Sequence, residues 1–140
     1  MRPRSIVQFE RVVLLSIAIA ILDSFLSWDR TSAAVSAQGL GDGFVIGAQA
    51  FSVVIYLLLL WFIARKGSFM ARGIYVALAV IGLAMGLFSL RQASNYETVS
   101  LIIMIVQLLL SLISIWLLFR PDANAWFSES RRAADPENYQ

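Results

Sequence analysis

The sequence predicts an all-α polytopic membrane protein, an antiparallel bundle of four transmembrane helices. Three observations carry that expectation. Hydrophobic residues make up 59% of the 140-residue chain and charged residues only 14%, whereas soluble domains carry roughly 45–50% and about 25%. The apolar residues are gathered into four runs of spanning length. The connections between the runs are short and alternate between rich and poor in basic residues.

The runs cover residues 12–28, 44–64, 73–90 and 98–119, which makes them 17, 21, 18 and 22 residues long. A hydrocarbon core of roughly 30 Å takes about 17–25 helical residues to cross. Lipid offers backbone groups no partner, so each run must be helical even where Val53, Val54 and Ile55 favour strand. Outside them lie an N-terminal segment of 11 residues, connections of 15, 8 and 7, and a tail of 21. Connections this short make successive helices antiparallel neighbours. Gly39, Gly41 and Gly43 in the first connection read as a flexible link. A phosphate loop would need a preceding strand and a following Lys.

Basic residues set the expected orientation. Arg2, Arg4, Arg11, Arg65, Lys66, Arg72, Arg120, Arg131 and Arg132 fall on one side of the spans, and Arg30 and Arg91 on the other. Such a bias places both termini in the cytoplasm. Trp28 and Phe44 at one level, with Trp61, Tyr75 and Trp116 at the other, suit interfacial belts. The shared spacing of Trp61 with Arg65 and of Trp116 with Arg120 reads as convergence on belt positions rather than duplication. In the tail, residues 121–140, Pro121 restarts a helix that carries Trp126 and Phe127, read as short and interfacial.

A secretory signal is the competing reading of the first run. Arg2 and Arg4 would begin it, residues 12–22 would be its core, and Val35, Ser36 and Ala37 its cleavage site. Residues 23–37 hold two aspartates, an arginine and a tryptophan, too charged and too long a cleavage region, so the run is kept as a span.

Small and polar residues recur every three or four positions within the spans: Ser16, Ala20, Asp23 and Ser27; Gln49, Ser52 and Tyr56; Tyr75, Ala79, Gly82, Gly86 and Ser89; Ser100, Met104, Gln107, Ser111 and Ser114. That spacing puts each set on one helix face, turned to the bundle centre, with Leu, Ile and Val toward lipid. Gly82 with Gly86, and Gly43 with Gly47, form GxxxG steps expected to bring helices together.

Asp23 is the carboxylate well inside a span. A charge at that depth must be protonated, hydrogen-bonded or in contact with water. Gln49 lies at matching depth on the next antiparallel helix and is its expected partner, with Gln107 deeper. These three form the candidate intramembrane polar or ligand site.

The chain has no Cys and no His. It therefore lacks disulfides, thiol chemistry, zinc or haem held by those side chains, and the commonest general base. One acid, two glutamines and scattered serines make neither a nucleophile–base pair nor a metal site, so no enzyme and no cofactor are expected. A net charge of +2 with its arginines at helix ends argues against nucleic acid. The basic rim would attract anionic headgroups generically, with no dedicated site.

The opening Arg2-Pro3-Arg4-Ser5-Ile6, followed by Phe9-Glu10-Arg11, resembles that of a family of small four-helix bacterial inner-membrane proteins carrying no assigned activity. The resemblance covers about a dozen residues and the layout, and implies a bacterial inner membrane. The chain also has features similar to small multidrug-resistance transporters, which have four helices and an essential acid in the first. Here Asp23 stands where that family has glutamate, nearer the outer surface, and the outer loop is larger. The expected role is an accessory or interaction subunit embedded in the lipid bilayer, bound to another membrane protein or to itself. The alternative is a minimal proton-coupled carrier with Asp23 as its ionisable site.

Overall fold

A computed structural model describes residues 2–91 and 97–133. They form α1 (Arg4–Leu26), α2 (Trp28–Ser36), α3 (Asp42–Lys66), α4 (Phe69–Leu90), α5 (Thr98–Leu118) and α6 (Pro121–Ala133). Among the described residues there is no strand. The helices α1, α3, α4 and α5 are each long and apolar enough to cross a membrane, so this is a helical, multi-pass bundle. Residues 134–140 of the expected tail lie outside the described residues.

Apart from shifts of one or two residues at the start of α3 and the end of α5, the boundaries differ from the sequence expectation in three places, each for a physical reason. First, α1 begins at Arg4 rather than at residue 12. Ile6, Phe9 and Val13 share one face and are buried, so this turn is held by an amphipathic stripe that a search for uninterrupted apolar runs passes over. Secondly, α1 stops at Leu26, where Ser27 turns out of helical geometry at φ −100° and ψ 12° while its N–H and Oγ both bond the Asp23 carbonyl, at 2.8 and 2.7 Å. The link that followed was expected to be flexible throughout, yet residues 28–36 form α2. Asp29 sits favourably in its first turn, no Gly or Pro interrupts it, and the chain leaves it through Gly39 at φ 78°. Thirdly, the eight-residue connection between the second and third spans shrinks to Gly67 and Ser68. Gly67 takes the left-handed conformation at φ 58°, which lets Ser68 N–H reach the Phe62 carbonyl at 3.2 Å. Ser68 Oγ then caps α4 by accepting from Ala71 N–H at 3.2 Å.

Around the bundle, α1 lies against both α3 and α5, and α4 completes the ring by packing on α3 and α5. Burial is concentrated where α1 and α4 begin and α3 and α5 end. We call this the basic end. Phe9, Ile63, Leu118 and Phe127 are enclosed there. Phe9 and Tyr56 each meet the Tyr75 ring edge-on, at 5.0 and 6.1 Å, and Tyr75 OH donates to Ser114 Oγ at 2.8 Å. This satisfies a phenol that hydrocarbon would penalise. Helix α6 folds back over this end, burying Ala123 and Phe127, and Asp122 Oδ2 accepts the Ser5 backbone N–H at 3.1 Å. Arg72, only 8% exposed, lies with its guanidinium 4.4 Å from the Phe119 ring and 4.9 Å from that of Phe127. Away from this end the aliphatic faces, Ile102, Leu109 and Leu112 among them, are exposed and suited to lipid.

Candidate functional site

The inner faces converge on two separate spaces. The deeper one is a cavity of about 300 Å³ in the middle of the bundle. Helix α1 brings Ser16 and Ala20 to it, α3 brings Tyr56, α4 brings Tyr75, Ala79, Gly82 and Gly86, and α5 brings Met104, Gln107 and Ser111. Its polar content is largely self-satisfied. Ser16 Oγ donates to Gln107 Oε1 at 2.5 Å, and Gln107 Nε2 donates to the Ser16 carbonyl at 2.9 Å. Both ends of the amide are thereby used on α1.

The second space is a cleft of about 1120 Å³ at the far end, walled by α1, α2 and α3. Asp23 and Gln49 both line it, among Ile21, Phe25, Val45, Ile46, Val53 and Val54. The sequence expectation paired these two side chains directly. They share the cleft, yet among the described residues neither side chain makes a hydrogen bond, and the charge acting on Asp23 is that of Arg30. Asp23 is also less deep in its helix than a span ending at Trp28 would place it, since α1 ends three residues later, at Leu26. The cleft thus combines apolar walls with a carboxyl and an amide whose hydrogen-bonding capacity is unspent. Trp28, Asp29 and Thr31 of α2 form its rim.

The three expected site residues therefore divide. Asp23 and Gln49 belong to the cleft and Gln107 to the mid-bundle cavity. The glycine steps divide as well. A Cβ on Gly43, Gly47 or Gly82 would meet nothing within 4 Å, whereas one on Gly86 would lie 2.7 Å from Leu108 Cδ2 of α5. Close approach at a glycine is thus found at Gly86, and Gly82 opens onto the cavity. What the sequence reading did not anticipate is the contribution of α2. Asp29 in a stretch free of Gly and Pro was the available signal. Among the described residues no cluster of metal-ligating side chains is present. Comparison with protein-family models, curated proteins and solved structures finds no match.

Proposed function

We propose that the chain is a non-catalytic interaction subunit of a bacterial inner membrane, with both termini cytoplasmic, whose far-end cleft receives a membrane-embedded segment of another membrane protein. The reading rests on one observation: Asp23 and Gln49 present unspent polar groups inside apolar walls. In hydrocarbon such groups favour whatever supplies a matching donor, and the apolar walls favour a helix that brings it. The orientation rests on the basic bias. Arg4, Arg65, Lys66, Arg72 and Arg120 share the end that α6 covers, and Arg30 and Arg91 occupy the other.

The test uses a photo-crosslinking side chain at Ile46, which lines the cleft, and at Ile113, on the outer wall, in native membranes. A discrete product from Ile46 and none from Ile113 is expected. A product of twice the 15.6 kDa chain mass identifies the partner as a second copy. Asp23→Asn, which still accepts and donates, retains capture, and Asp23→Leu loses it. The rival is the proton-coupled carrier. Proton release on adding a lipophilic cation to the purified protein, abolished by Asp23→Asn, would establish it instead. A reporter active only in the cytoplasm, silent when inserted between Gln38 and Gly39 and active between Lys66 and Gly67, checks the orientation.

A further inference from the structure

A third space opens at the basic end, between the first turn of α4 and one face of α6. It measures about 310 Å³ and is lined by Phe69, Arg72, Asn124, Phe127, Ser128 and Arg132. The four α6 residues recur at helical spacing, so one face of that helix forms a whole wall. Two cations, a hydroxyl and a carboxamide meet there, and among the described residues no carboxylate lines the space. The α4 N-terminus adds the positive end of a 22-residue helix.

Arg72 is the informative residue. More than nine-tenths of it is buried, it lines this space, and its guanidinium forms no hydrogen bond or ion pair with a described residue. The Phe119 and Phe127 rings flank the guanidinium, and no described residue takes a hydrogen bond from it. A buried cation with unspent donors requires an anion or water. A planar fork of donors suits phosphate in particular.

We propose that this space is a dedicated site for a phosphate ester, namely the headgroup phosphate of an anionic lipid. Its position supports the lipid source. The site lies where α4 enters and α5 leaves the apolar layer, which is the level of headgroups. Phe69 and Met70, 56% and 75% exposed, continue from the same turn as an apolar surface along which acyl chains run. Such a site is specific, unlike the diffuse attraction of a basic rim.

Calorimetric titration of the purified protein in a neutral detergent tests this. The probes are dihexanoyl phosphatidylglycerol, dihexanoyl phosphatidylcholine and inorganic phosphate. Saturable binding of the phosphatidylglycerol is expected, with phosphatidylcholine weaker by about tenfold or more. Arg72→Gln should weaken it about tenfold, the effect of losing charge-assisted hydrogen bonds. Ser128→Asp, an exposed position that sets a carboxylate at the mouth without disturbing the core, should do the same and carries the test if Arg72→Gln does not fold. Arg65→Gln, at the same end but outside the site, should change affinity by less than about twofold. Equal weakening by Arg65→Gln and the site variants would reduce the effect to diffuse attraction and overturn the proposal. Inorganic phosphate binding as tightly as the lipid would overturn the lipid assignment.

Discussion

Ser16 and Gln107 hold each other twice across the bundle, through Oγ to Oε1 at 2.5 Å and through Nε2 to the Ser16 carbonyl at 2.9 Å. The pair joins α1 to α5, the most extensive helix contact in the fold. Gln107→Leu should remove both bonds and lower stability by about 1–2 kcal/mol, and Ser16→Ala should remove one. A double-mutant cycle, followed by steric-trap unfolding in bicelles, should return a coupling of roughly 0.6–1.7 kcal/mol. Additive losses would mean the two side chains do not act together.

Gly86 and Gly82 should respond oppositely although they belong to one motif. Gly86→Leu meets Leu108 and should cost about 1–3 kcal/mol by overpacking. Leu108→Ala should recover part of the loss. Gly82→Ala meets nothing within 4 Å at the edge of the cavity and should be neutral or gain up to about 1 kcal/mol from helix propensity. Leu109→Ala, on a side chain 54% exposed, should change little. Thermal unfolding in detergent reads all four.

Gly67→Ala should be the most damaging Gly→Ala change among the described glycines. The position needs a left-handed backbone, which costs an L-residue about 1–2 kcal/mol. Its Cβ would also press on Ser130 and on Trp126 of α6. Faster proteolysis within residues 121–133, accompanied by a lower melting temperature, is the expected readout.

The Asp122 carboxyl lies below the ordinary carboxylate value of 3.8. The adjoining Ser5 hydroxyl is the main cause, near enough to favour the anion although it makes no hydrogen bond of good geometry. The Ser5 N–H and Arg120 add to it. A depressed folded-state pKa stabilises above the unfolded value and is lost as pH falls through the folded one. The hold of α6 on α1 should therefore be complete at neutral pH and weaken on acidification below about pH 4. Tail proteolysis against pH should show this step in the wild type. Asp122→Asn should abolish it.

The bundle was legible in the sequence because hydrocarbon imposes length and helicity on any apolar run, so α3, α4 and α5 could be placed from 44–64, 73–90 and 98–119. The first turns of α1 were not, because Arg4, Glu10 and Arg11 interrupt the apolar run while Ile6, Phe9 and Val13 still form a buried stripe. Spacing put Ser16 and Gln107 each on an inner face, and the structure brings them together. Helical register gives the face but not the neighbour, and depth alone favoured pairing Asp23 with Gln49. Those two are set apart by a cleft, a feature of how α1, α2 and α3 diverge that no single helix encodes. Arg72 read as one charge of a basic rim. Only the fold-back of α6 shows it enclosed by Phe119 and Phe127.

The bond from Ser5 to Asp122 links residues 117 positions apart. During synthesis the first helix reaches the membrane long before the sixth exists, so its opening turns, with Ile6 and Phe9, wait with their core faces uncovered. Closure comes only once Phe127 has emerged. A chain halted before that point carries the four described spans yet lacks the α6 residues Ala123 and Phe127 that are buried at this end. The clasp between these helices thus joins the first described helix to the last and forms only after all four described spans have been made.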